Sequence, residues 1–245
     1  MDPALTPDLS ERDSRTRLLL GDEAMHRLAA ARVLVAGVGG VGGYAAEILA
    51  RTGVKRLTLI DADCVAPSNL NRQLIARVST LGEPKVHLFK RRFLDINPDI
   101  EVDARRDFIV PEEVPSLLDE GYDYVVDAID TVAPKVSLIA ESLRRGVRIV
   151  SSMGAGGRTD PSRVGYFDLW ETREDGLARA VRQRLKKLGL RRRVDVVAST
   201  EAPHCGSLIQ LDERNKRSSY GTVAAIPAIF GIMLAQKVIN SIVRK

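Results

Sequence analysis

One stretch restricts the fold of this chain more than any other: Gly37-Val-Gly-Gly-Val-Gly-Gly43, entered from the apolar run Arg32-Val-Leu-Val-Ala36 and followed by helical spacing over 44–51. Glycines at 37, 39 and 42 let backbone approach an anion closely at a helix N-terminus, whose free N–H groups and dipole favour negative charge. The pattern predicts a strand, a phosphate-binding turn and a helix, the opening unit of a doubly wound sheet. A second strand, Arg56–Ile60, ends on Asp61, where a carboxylate is placed to bind ribose hydroxyls. Alone, these two features fit a dinucleotide-dependent dehydrogenase as well as an ATP site.

Strands are further predicted at 101–104, 124–128 and 148–151, with helices at 84–94, 112–120 and 134–145 between them. Pro84 suits the first position of its helix, because the N–H it lacks would be unpaired there. This alternation predicts a Rossmann-like, mainly parallel α/β sheet, with extra C-terminal strands and helices. Beyond Gly157 strands at 164–169 and 194–198 flank a helix whose apolar stripe is Leu177, Val181, Leu185 and Leu188. The last helix, 221–243, is apolar nearly all round and belongs to the core or to a subunit interface. We expect one domain over 1–245, with a helical arm at 1–30 and a looser basic lobe at 158–220.

The longest apolar run, 223–235, contains Pro227 and falls short of the ~20 residues a membrane span needs. The first twenty residues are charged, without an apolar core of signal-peptide length. A soluble, cytoplasmic protein with no membrane partner is expected. Only Cys64 and Cys205 are present, so no CxxC pair exists for a four-cysteine zinc site, and Cys205 reads as a loop thiol.

Four groups of residues move the reading from NAD to ATP: Asp61-x-Asp63, then Ser68-Asn69 with Arg72-Gln73, then Gly82-x-x-Lys85, then Asp127-Ala128-Ile129-Asp130. They put cations and carboxylates at the carboxyl edge of successive strands, where open α/β sheets bind ligands. Hydride transfer does not need such an array. Adenylyl transfer does: two cations neutralise phosphate oxygens while an acid can hold Mg²⁺.

The formal net charge of +5 is concentrated rather than spread. From Glu171 to Asp195 there are nine basic and four acidic residues, a surplus equal to that of the whole chain. Arg179, Arg182 and Lys186 fall on one helix face, and Arg191, Arg192 and Arg193 follow. Such a face is either solvated charge or a nucleic-acid contact.

In their order and spacing these residues resemble the MoeB/ThiF superfamily, related to the ubiquitin-activating enzymes, and the likeness runs from Arg12 to the C-terminus. It implies that Gly40 and Asp61 bind the nucleotide, that Asn69, Arg72 and Lys85 contact phosphates, and that Asp130 coordinates Mg²⁺. It also implies a homodimer in which an N-terminal Arg-x-x-Arg, matched by Arg12-Asp-Ser-Arg15, supplies Arg15 to the neighbouring site. Asp127-Ala-Ile-Asp130, Gly154-Ala-Gly-Gly157 with Asp160-Pro161, Arg182-Gln-Arg-Leu-Lys186 and Ser199-Thr-Glu-Ala202 resemble, within the superfamily, the tRNA threonylcarbamoyladenosine dehydratases.

The implied activity is ATP-dependent cyclisation of N6-threonylcarbamoyladenosine in tRNA through an acyl adenylate, with the basic segment facing the tRNA. Two alternatives stand beside it. One is an adenylyltransferase acting on the C-terminus of a ubiquitin-like sulfur carrier; the other is a nucleotide-binding regulatory module without catalysis. An alkali-metal ion at the 154–157 loop and a sulfur-transfer or carrier protein as partner are left open.

Overall fold

A computed structural model of the chain describes residues 9, 11–213 and 216–244, apart from the side chains of Cys205 and 209–219. Seven strands form its main sheet: β1 (Arg32–Ala36), β2 (Arg56–Ile60), β3 (Glu101–Arg105), β4 (Tyr124–Asp127), β5 (Arg148–Ser152), β6 (Val164–Asp168) and β7 (Asp195–Ser199). Their order is β3-β2-β1-β4-β5-β7-β6, parallel throughout except for β6, which runs antiparallel to β7 at the edge. A separate two-stranded ribbon pairs β8 (Leu208–Glu213) with β9 (Lys216–Tyr220).

Helices α1 (Ser14–Leu20), α2 (Asp22–Ala30), α3 (Gly42–Thr52), α4 (Lys85–Ile96), α5 (Val114–Asp119), α6 (Val132–Arg145), α7 (Gly176–Lys187) and α8 (Ala225–Val243) surround the sheet. Two cores result, one on each face. In β1, Val33 and Val35 point into the core built with α3, α4 and α8, whereas Leu34 and Ala36 point into the one built with α5, α6 and α7. That period of two, with both faces apolar, is why this strand reads as a continuous apolar run.

The observed elements correct several expectations. Pro84 caps α4 instead of opening it, because its extended backbone (ψ 127°) precedes the first helical residue. The 158–220 segment is not a loose lobe as a whole, since β7 extends the main sheet beside β5 and β6 closes its edge. On α7 the buried stripe is Ala178, Val181 and Leu185, while Leu188, past the helix end, is 49% exposed. Helix α8 is long and apolar enough to cross a membrane by composition, yet it packs against α3 and the strands β4, β5 and β7. There it buries Ile226, Phe230, Leu234, Val238 and Ile242, which recur every four residues along one side.

Candidate nucleotide site and basic surface

Strand β1 pairs with β2 on one side and β4 on the other, so the chain reverses its winding direction beside it. Ligands of open α/β sheets bind at this switch point, outside the carboxyl ends of the strands. There the turn from Gly37 leads into α3. A Cβ at Gly42 would stand 1.8 Å from the Gly37 carbonyl oxygen, so the turn closes this tightly only with glycine. The Asp61 carboxylate supports the same turn, accepting from the Val38 N–H at 2.8 Å with one oxygen and from the Asp63 N–H at 2.9 Å with the other. Burial pushes the Asp61 carboxyl above its ordinary range, against the pull of the Lys85 charge.

Lys85, at the start of α4, is buried and aims into the same cleft. Its Nζ lies 2.7 Å from Asp63 Oδ2 and 4.0 Å from Asp61 Oδ1. Asn69 shapes the turn after β2: its side-chain oxygen accepts from the Ala66 N–H, and its carbonyl accepts from the N–H groups of Arg72 and Gln73. Arg72 is thereby brought beside the glycine turn, with its Cγ 3.4 Å from where a Cβ of Gly40 would stand. The guanidinium donates to the Ser68 carbonyl and to Asn71 Oδ1. Burial lowers its pKa, opposed by the negative charge of Asp130, which lies within electrostatic reach. Gln73, whose amide nitrogen lies 3.7 Å from where a Cβ of Gly39 would stand, is buried with its side-chain oxygen unpaired among the described residues. Asp130 is exposed at the mouth.

Asp127 requires a correction. It is wholly buried, and its carboxylate is taken by Lys135 Nζ at 2.6 Å, by the Ser151 hydroxyl at 2.5 Å and by the Ile129 N–H at 3.1 Å. It therefore braces the floor under Ala128 and Ile129 and does not face a nucleotide. Lys135, fully buried with further bonds to Ser151 Oγ and the Ser152 carbonyl, was missed by sequence reasoning. The signal existed: Lys135 falls on the apolar stripe of α6, between Val132 and Val136 on one side and Ile139 on the next turn, where an unpaired lysine would be costly.

A second buried charge pair holds the 154–157 loop. Asp175 caps α7 through the Ala178 N–H and accepts the Gly154 N–H, while Arg158 binds Asp175 and the carbonyls of Gly154, Glu174 and Glu201. Glu201 in turn accepts from the N–H groups of Asp160 and Thr159, which hold its carboxyl below the usual range. Cys205 has no described side chain.

Arg15 is not brought to this cleft. It is exposed near the start of α1, where Arg12 binds Asn97 at the end of α4, beside the amino ends of the strands. The basic segment divides. Arg179, Lys186 and Arg191 are exposed and make no side-chain hydrogen bond or ion pair among the described residues. Arg193 is exposed and paired with Asp195, and Arg192 donates to the Leu143 carbonyl. Arg182 is corrected to a structural role, because its guanidinium turns inward onto the Leu169 and Thr172 carbonyls and the Thr172 hydroxyl.

Against known proteins, residues 12–245 match the model of the ThiF family. The chain is 46% identical over 190 residues to the tRNA threonylcarbamoyladenosine dehydratase of Bacillus subtilis, covering 78% of this chain and 75% of that one. To its counterpart in Escherichia coli it is 37% identical over 257 residues, covering 96% and 94%. The crystal structure of that E. coli enzyme, TcdA, in complex with ATP superimposes with a TM-score of 0.88 at 36% identity, over 98% of this chain and 97% of that one. A complex of TcdA with AMP superimposes with a TM-score of 0.87. The chain thus belongs to the ThiF family, among the tRNA threonylcarbamoyladenosine dehydratases.

Proposed function

We infer that this chain binds ATP in the cleft around the 37–42 turn and uses it to cyclise N6-threonylcarbamoyladenosine in tRNA. The threonyl carboxylate attacks the α-phosphorus and pyrophosphate leaves, giving an acyl adenylate; a nitrogen of the same modification then attacks the acyl carbon and AMP departs. The sum is loss of one water from the nucleoside, and the nucleophile belongs to the substrate, so no cysteine of this chain is required. The dehydratase relatives favour this reading over activation of a sulfur carrier or a non-catalytic module. Acting on tRNA, the enzyme would work in the cytoplasm.

The observation that carries the reading is the convergence of Arg72 beside Gly40, and of Lys85 with Asp61 and Asp63, on the glycine turn at the switch point. Asp61 takes the ribose, a polar ligand that returns the hydrogen bonding its burial restricts. Arg72 and Lys85 face the phosphates and stabilise charge that grows on them as the α-phosphorus is attacked. Ser68, Asn69 and Asp63 orient these cations, and Ala128 and Ile129 wall the cleft. Asp130, an exposed carboxylate close to Arg72, fits as the holder of Mg²⁺, which when bound supplies positive charge to the pyrophosphate. At the 154–157 loop the Gly154 carbonyl is taken by Arg158, so an alkali-metal ion there would have to use other acceptors.

Arg15 acts across a homodimer, completing the neighbour's site. Its place near the amino ends of its own strands, away from its own cleft, supports action in trans. Arg179, Lys186, Arg191, Arg192 and Arg193 contact the tRNA. Asp130→Asn tests the chemistry: tRNA from a deletion strain carrying this variant should retain uncyclised nucleoside by mass spectrometry, with the purified variant as stable as wild type. Complete cyclisation would remove Asp130 from the mechanism.

A further inference from the structure

A cavity of about 700 Å³ opens at the amino ends of β4, β5 and β7, the edge of the sheet opposite the nucleotide cleft. Tyr124, Arg148 and Asp195, the first residues of those strands, stand in its wall, and the C-terminal turn of α8 closes one side with Ser241 and Arg244. Five cations line it against one carboxylate, Asp195, a surplus of four positive charges in a chain whose total is +5.

Two of these cations, Arg148 and Arg192, are fixed by neutral groups, which position charge without cancelling it, and two share the single carboxylate. Arg148 donates to the hydroxyl and carbonyl of Ser241 and lies over the Tyr124 ring at 5.4 Å. Arg192 is held by the Leu143 carbonyl at 2.6 Å. Lys237 lies over the ring of Tyr166 at 5.8 Å and shares Asp195 with Arg193. A concave wall of one sign focuses its field and concentrates counter-ions.

We propose that this cavity is a second docking site for the RNA substrate, receiving sugar-phosphate backbone far from the reacting nucleotide. The proposal rests on tRNA being the substrate. A polyanion is favoured over a small phosphate by continuity and by shape. Arg192 and Arg193 belong both to the cavity and to the basic segment that follows α7, so the two share a border of positive side chains. The half-exposed ring of Tyr166 offers a stacking face of the kind single-stranded nucleic acid uses. One ligand long enough to follow that surface reaches the reacting edge and this edge together.

The test uses Lys237→Gln with Arg244→Gln, neither residue being near the ATP cleft, and an unmodified tRNA transcript titrated over a range of salt. Loss of two phosphate contacts should weaken binding about tenfold near 0.1 M salt and lower the log–log salt slope by about 1.8, with ATP affinity unchanged. Asp195→Asn should act in the opposite sense, tightening tRNA binding, because it removes the one carboxylate of the lining. That opposite sign guards against reading a folding defect as lost contact. Unaltered tRNA affinity in both the double variant and Asp195→Asn would overturn the proposal, as would loss of inorganic tripolyphosphate binding with tRNA binding intact, which marks a small-anion pocket. Wild-type protein that fails to bind tRNA would overturn the substrate reading itself, and this site with it.

Discussion

Asp127 and Lys135 show how a residue of the right type near a site can serve the fold instead of the ligand. The Asp127-x-x-Asp130 spacing reads as two carboxylates at a strand end, yet only Asp130 reaches solvent. What the spacing cannot convey is that Lys135, one helical turn further on, turns back beneath the strand and takes the first carboxylate. Breaking such a buried pair leaves an uncompensated charge. Lys135→Ala should destabilise the protein by about 3–5 kcal/mol in denaturant unfolding, whereas Lys135→Met with Asp127→Leu should recover most of that loss. If the single variant is as stable as wild type, the pair does not brace the cleft floor. That the glycine turn, Asp61, Arg72 and Lys85 lie together was legible because their placement follows from local backbone and from the ends of adjacent strands. Arg158, Asp175 and Glu201 were not, because they are brought together across 154–201 by tertiary packing alone.

Helix α7 was readable as amphipathic but not in the orientation of each side chain. Its stripe shifts to Ala178, Val181 and Leu185, and this rotation carries Arg182 toward the Leu169–Glu171 turn while leaving Arg179 and Lys186 outward. Two substitutions on one helix should therefore have opposite signatures. Arg182→Ala removes hydrogen bonds from carbonyls and should cost about 1–3 kcal/mol of stability. Arg179→Gln with Lys186→Gln should leave stability within about 0.5 kcal/mol and weaken tRNA binding, with a shallower salt dependence. Thermal melts and filter binding on both variants decide this. A tRNA defect as large in a folded Arg182→Ala as in the pair would return Arg182 to the interface. The strands needed no such adjustment, because a buried parallel strand announces itself by its apolar run whatever its neighbours do.

For the whole molecule, the mainly parallel, doubly wound sheet followed from the alternation of strands and helices, whereas the strand order and the antiparallel β6 edge left no mark in local sequence. The helical arm is the part that the proposed homodimer would explain. Leu18 and Leu19 of α1 are 87% and 82% exposed, on the same short helix as Arg15. If Arg15 completes the neighbour's site, Arg15→Ala and Asp130→Ala homodimers should each be nearly inactive. Exchange at equal amounts makes half the dimers mixed, each with one intact site, so about a quarter of wild-type activity should return. A mixture shown by tagged pull-down to exchange subunits, yet still inactive, would place Arg15 outside the mechanism.

The acyl adenylate is the step on which the whole account turns, and it leaves a label. A tRNA whose threonyl carboxylate carries heavy oxygen, incubated with this protein and ATP, should yield cyclised nucleoside, pyrophosphate and AMP that has gained one heavy oxygen from the carboxylate. Heavy oxygen appearing in inorganic phosphate, with ADP as the nucleotide product, would mean an acyl phosphate and contradict adenylation at the α-phosphorus.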